Sequence, residues 1–98
     1  LMAPAKGDSH QQDYRLKMVE LFKEGKISEA RKLVCSQARP EECEEIYRWL
    51  YDNLDIITKD EDAQDKAVLI IKQGLVDHSF VADPEINLAS VMIKLARL

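Results

Sequence analysis

The chain has 98 residues, of which 46% are hydrophobic and 33% are charged, and its formal net charge is −4. This length supports one domain rather than two. The net negative charge disfavours a surface that binds nucleic acid. Few glycines and prolines in a chain rich in Glu, Lys, Ala and Leu indicate helices rather than sheet. No apolar run approaches the roughly 18 residues that cross a membrane. We therefore expect a cytoplasmic protein without membrane contact.

The first two predicted helices form a hairpin. Apolar residues at helical spacing predict a helix from about Gln12 to Lys23. Gly25 follows as its C-terminal cap, because glycine tolerates the left-handed conformation found there. Ser28 is the candidate N-cap of a second helix, which runs to about Gln37.

The third predicted helix is strongly amphipathic. Pro40 suits its first turn, and the glutamates that follow favour the positive end of the helix dipole and are expected to be solvated. Its apolar stripe recurs every three or four residues and comprises Cys43, Ile46, Tyr47, Leu50, Tyr51 and Leu54. Trp49 lies off this stripe, so we expect it to meet a second layer or a partner.

The fourth predicted helix runs from about Glu61 to His78, introduced by Asp60 and Asp62. Gly74 within it costs about 1 kcal/mol relative to alanine. A close approach of another helix at that point would explain the glycine. A lone histidine near a helix end, such as His78, is more often a packed or capping side chain than a catalytic base.

The last predicted helix has an unusually wide apolar surface. Asp83 is its N-cap and Pro84 its first residue. Its polar residues form one narrow stripe of Asn87, Ser90, Lys94 and Arg97. A helix packed on one side of a domain needs an apolar face of little more than a third of its circumference. We therefore expect this helix to bury one face in its own domain and another against a different chain.

Together these elements predict an all-α fold, a five-helix bundle over residues 12–98 that follows a flexible linker at residues 1–11. Motifs for chemistry are missing from the sequence. There is no glycine-rich phosphate loop, and Cys35, Cys43 and the two histidines lack the close spacing of a metal site. We therefore expect free, partly buried thiols rather than metal ligands, no cofactor in this chain and no enzymatic activity of its own.

Two segments carry a resemblance to a known family. One is Gly25-Lys26-Ile27-Ser28-Glu29-Ala30-Arg31-Lys32-Leu33, and the other runs from Phe80 to Ala96. They resemble the C-terminal collar domain of small subunits of replication factor C type sliding-clamp loaders. Cellular members carry an acid-x-Arg pair and a glycine-rich loop before the last helix, and residues 75–77 and 81–82 replace these here. The last helix is most similar to that of T4-like bacteriophage clamp loaders, whose register matches His78, Glu85, Leu88, Ala89, Ile93, Leu95 and Ala96.

The resemblance implies a fragment of a larger protein that acts in DNA replication. In the family, an upstream AAA+ domain binds ATP and Mg²⁺, and the collar holds the subunits in a pentamer. The partners it implies are other clamp-loader subunits, with the sliding clamp and primer–template DNA contacted through the upstream domains. The compartment would be the host cytoplasm if the protein is viral. An ATPase module encoded before Leu1 would support this hypothesis.

Five residues are candidates for a subunit interface: Val91, Met92 and Leu95 in the last helix, with Trp49 and Tyr51. The periodicity of the last helix does not indicate which of its sides faces inward. The alternative hypothesis is a helical adaptor that binds a partner peptide in a groove lined by the first two helices. In that case the last helix would only cap the core.

Overall fold

The computed structural model describes the backbone of residues 11–98 and the side chains of residues 14–98. Residues 1–10, which make up nearly all of the predicted linker, lie outside the described residues. The described residues form six α-helices: α1 (Gln11–Lys23), α2 (Ile27–Gln37), α3 (Cys43–Asp52), α4 (Leu54–Ile57), α5 (Glu61–His78) and α6 (Pro84–Ala96). A 3-10 turn, Pro40–Glu42, precedes α3. The all-α prediction is confirmed, whereas the number of helices is six rather than five.

The helix ends follow from local chemistry. Gly25 has a φ of 77°, and the N–H groups of Gly25 and Lys26 donate to the carbonyls of Phe22 and Leu21. This is the pattern of a Schellman cap. Helix α2 then begins at Ile27, so Ser28 lies inside the helix and the predicted N-cap at that position is wrong.

Aspartate side chains cap the last two helices, and the cap at Asp83 is the one that the sequence predicts. Oδ2 of Asp60 accepts the N–H of Ala63 at 2.9 Å. Oδ1 of Asp83 accepts the N–H groups of Glu85 and Ile86 at 3.0 and 3.3 Å. These bonds satisfy donors that the first turn of a helix leaves without a partner, and they fix where α5 and α6 begin.

The additional helix arises at Asn53. This residue has φ −126° and ψ 40°, which interrupts α3, and its side-chain amide donates to the carbonyl of Trp49 at 2.8 Å. Leu54 therefore starts the separate short helix α4 instead of extending the stripe of α3.

Helix α6 is central to the packing. It contacts α2 and α5, and α3 packs against both α5 and α6, while α1 packs against α2 and α4. Every long helix contributes to one core, whose buried side chains include Tyr14, Met18 and Phe22 of α1, Ala30 and Val34 of α2, Ile46, Tyr47 and Leu50 of α3, Ala67 and Ile71 of α5, and Leu88, Val91, Met92 and Leu95 of α6.

Candidate protein-interaction surface

The contact between α5 and α6 depends on Gly74. A Cβ atom at this position would lie 2.5 Å from Cγ2 of Val91 and 3.2 Å from Cε1 of Tyr47. The bare backbone thus lets α6 approach α5 as the sequence predicts. The side-chain amide of Asn87 donates to the carbonyl of Gly74 and to the hydroxyl of Tyr47, both at 3.0 Å. Since only residues 79–83 separate the two helices, they form an antiparallel hairpin.

Three of the five candidate interface residues lie in the core. Val91, Met92 and Leu95 are 3%, 0% and 1% exposed. They form the inward face of α6, so they are not available to another chain in this conformation. The prediction that α6 has apolar surface left over holds, but the surface lies on the opposite side of the helix.

The two remaining candidates differ from each other. Trp49 is half-buried, and its ring lies 5.4 Å from that of Phe22, centroid to centroid. Tyr51 is exposed, and the guanidinium of Arg48 lies 5.3 Å from its ring centroid. Trp49 therefore meets a second layer of its own chain, and of the five candidates Tyr51 alone is classed as exposed, at 47%.

Exposed apolar residues concentrate on the α5–α6 hairpin. Of the nine large hydrophobic side chains exposed among residues 14–98, seven lie between Glu61 and Leu98: Leu69, Leu75, Val76, Phe80, Ile86, Ile93 and Leu98. Where exposed apolar side chains form a contiguous patch, they commonly mark a binding site.

Helical spacing aligns five of these residues into two stripes. Leu69 and Val76 are two turns apart on α5, and Phe80 follows one turn later, just beyond the helix end. Ile86 and Ile93 are two turns apart on α6. Each set points away from the buried face of its own helix. We call Leu69, Val76, Phe80, Ile86 and Ile93 the outer stripes.

A groove between α1 and α3 is the second apolar feature. Its walls are Met18, Val19, Ile46 and Trp49, and an ion pair of 2.8 Å between Arg15 and Glu45 lies at its rim. Its volume is about 60 Å³. The adaptor hypothesis predicts a groove lined by the first two helices, whereas this groove is lined by residues of α1 and α3.

Glu42 was expected to be solvated, and the structure places it in the core. It is 3% exposed, and its Oε1 accepts the hydroxyl of Tyr14 at 3.1 Å and the N–H of Arg39 at 2.8 Å. Glu42 supplies the carboxylate half of a capping box, but Arg39 has no side-chain acceptor, so the sequence lacks the Ser or Thr that signals this motif.

The described residues offer no cluster for metal binding. Among the side chains of residues 14–98, no group of three or more His, Cys, Asp or Glu could hold a metal ion. His78 packs edge-on against Tyr47, with ring centroids 6.0 Å apart. The prediction of a packed side chain at His78 is confirmed, whereas His10 lies outside the described residues.

No helix in the described part of the chain is long and apolar enough to cross a bilayer.

Burial of tyrosine hydroxyls predicts a loss of stability at alkaline pH. Burial raises the pKa of both Tyr14 and Tyr47 above the ordinary value of 10.0. Above pH 10 the unfolded chain releases these protons more readily than the folded chain, so the free energy of unfolding should decrease with pH. Denaturant titrations at neutral and increasingly alkaline pH measure this decrease. Tyr47→Phe should reduce it, and an unchanged slope in that variant would contradict the assignment to Tyr47.

Comparison of the chain with protein-family models, with curated proteins and with solved structures finds no match.

Proposed function

We propose that the chain is an oligomerisation module whose outer stripes dock against neighbouring subunits. The observation that carries this proposal is the apolar surface of the α5–α6 hairpin. Phe80 is 79% exposed, and Leu69 and Ile86 are each 67% exposed. Covering side chains of this size with another protein removes apolar surface from water, which is favourable.

The expected strength of this association follows from comparing the free energy of side-chain burial with the cost of bringing two chains together. Full burial of one Leu, Ile or Phe side chain contributes about 1.5–3 kcal/mol. Association costs about 4–15 kcal/mol in lost translation and rotation. Five partly exposed side chains therefore support weak pairing of two isolated copies. In a larger assembly, other linked domains raise the local concentration and strengthen the same contact.

The assembly that we propose is a sliding-clamp loader, in which this chain is the C-terminal collar of an AAA+ subunit. Support comes from the order of three features: the glycine turn at Gly25, the Asp83–Pro84 start of α6 and the nearly apolar sequence of α6. Under this proposal the ATP and Mg²⁺ site and the surfaces for the clamp and for DNA belong to upstream domains. The coding sequence before Leu1 tests this part, since it should encode a P-loop ATPase domain. An unrelated upstream sequence would contradict it.

Sedimentation equilibrium of the chain tests the oligomerisation proposal. From micromolar to near-millimolar concentration, the wild-type chain should associate reversibly, and Ile86→Asp should shift the equilibrium toward monomer because it charges an outer stripe. Leu16→Asp is the matched control, because Leu16 is 62% exposed on α1, outside the outer stripes. Circular dichroism checks that both variants stay folded. Association that persists in Ile86→Asp but is lost in Leu16→Asp would refute the proposed surface.

A further inference from the structure

Charge is ordered along the exposed face of α6. Ile86 and Ile93 are seven residues apart, which is about two helical turns, so one lies above the other on this face. A second exposed stripe runs beside them on one flank and consists of Asp83, Ser90 and Arg97, again seven residues apart. We call these three residues the charged flank. It is acidic where α6 begins, neutral at its middle and basic where the helix ends.

The charged flank has no ion-pairing partner in the described part of its own chain. None of the ion pairs among residues 14–98 includes Asp83, Lys94 or Arg97. Asp83 caps α6 through Oδ1, which accepts both backbone bonds, so Oδ2 can still face a partner. Lys94 is exposed one turn before Arg97 and adds to the positive end. These charges are therefore free to pair with charges on another molecule.

The opposite flank of the same face is small and uncharged. Ala89 and Ala96 follow Ile86 and Ile93 by three residues, whereas Ser90 and Arg97 follow them by four, which places the two sets on opposite sides of the isoleucines. If two such faces packed with their helices parallel, the charged flank of each would meet the alanine flank of the other. If they packed antiparallel, charged flank would meet charged flank, with acid opposite base at both ends. The charges therefore favour the antiparallel arrangement.

We propose that the outer face of α6 binds a second copy of itself, antiparallel and related by a two-fold axis near Ser90. Ile86 of each copy then packs against Ile93 of the other, and Asp83 of each pairs with Arg97 of the other. The two-fold axis makes each of these contacts twice, so one surface is complementary to itself. This inference rests on the proposed oligomerisation surface. It adds the identity and the orientation of the partner when two free copies of the chain associate.

Thiol crosslinking tests where the axis lies. Ser90→Cys places the two introduced thiols of a pair close to the axis, within reach of a short bismaleimide. Ala96→Cys is the matched control, because the thiols would be about 18 Å apart along the helix axes. At equal protein concentration, Ser90→Cys should form the covalent dimer about tenfold faster or more. The wild-type chain, treated in the same way, gives the background from Cys35 and Cys43.

Neutralising substitutions test the charge pairing. Asp83→Asn keeps a side-chain oxygen for the helix cap but removes the charge, and Arg97→Gln removes the opposite one. Each should raise the dimer dissociation constant about 2- to 30-fold, the effect of two exposed ion pairs. General repulsion between chains of net charge −4 would instead decrease in Asp83→Asn. Asp55→Asn, an exposed site on α4, is the matched control with the same charge change and should not weaken the dimer.

Combining the two substitutions gives the final test. The variant with both Asp83→Asn and Arg97→Gln should dissociate no more readily than either single variant, because both remove the same pairs. Sedimentation equilibrium measures these constants, and circular dichroism checks that each variant is folded. If Ile86→Asp weakens association while Asp83→Asn does not, and Ser90→Cys crosslinks no faster than Ala96→Cys, the antiparallel pair is wrong although the outer stripes still mediate association. A wild-type chain that never associates would overturn both proposals.

Discussion

Met92→Ala is expected to lower the free energy of unfolding by about 2–5 kcal/mol. The side chain of Met92 is fully buried in α6, where the helix packs against α2 and α5. Its truncation removes apolar contacts and leaves a cavity that the surrounding side chains fill only in part. Urea denaturation followed by circular dichroism measures the change.

Ile86→Ala is the matched control for this prediction. Ile86 is on the same helix but is 67% exposed, so its truncation should change the free energy of unfolding by about 0.5 kcal/mol or less. The two variants therefore distinguish the inward face of α6 from its outer stripe. If Met92→Ala left stability unchanged and abolished association instead, Met92 would belong to an interface, as the sequence alone suggested.

Gly74→Ala is expected to destabilise the chain, although alanine is the better helix former. Overpacking a core costs about 1–3 kcal/mol, while the helix propensity gained is about 1 kcal/mol. The new methyl group would collide with the stiff, branched side chain of Val91 and press on the ring of Tyr47. We expect a net loss of up to about 2 kcal/mol in denaturant titrations.

A double-mutant cycle isolates the cause. Val91→Ala removes the methyl group that the new Cβ would meet, at its own cost in lost packing. Gly74→Ala combined with Val91→Ala should therefore lose less stability than the sum of the two single variants. Strictly additive losses would show that the close approach of α5 and α6 at Gly74 is not what Gly74→Ala disturbs.

Strong local signals made much of the fold predictable. Asp60 and Asp83 each stand immediately before a long run of helix-forming residues; the predicted cap at Asp83 forms, and Asp60 caps the helix that it was predicted to introduce. Helix α5 has the predicted bounds, and α6 ends one residue before Arg97. These features depend on a few neighbouring residues, so the sequence contains the information directly.

The break at Asn53 could not be predicted from the apolar pattern. Leu50 and Leu54 are four residues apart and continue the stripe of α3 without a gap. The break depends on a bond from the Asn53 side chain to the carbonyl of Trp49 and on the packing of α4 against α1 and α5. The spacing of apolar residues in the sequence does not reveal such contacts.

The sequence also did not indicate which side of α6 is buried, but for a different reason. Apolar residues surround most of this helix, so Met92 and Ile86 look alike in the sequence. Their difference is set by tertiary contacts: Asn87 bonds to Gly74 and Tyr47, and Val91 packs where the glycine leaves room. These contacts orient α6, turn Met92 inward and leave Ile86 on the surface.

We propose that the outer stripes, and not the inward face of α6, mediate association. Methyl NMR at increasing protein concentration distinguishes the two surfaces, because each side chain reports its own environment. Methyl resonances of Leu69, Val76, Ile86 and Ile93 should shift with concentration, while those of Leu16 and Leu88 should stay constant. Resonances that do not move at any concentration, or that move at Leu16 alone, would contradict the claim.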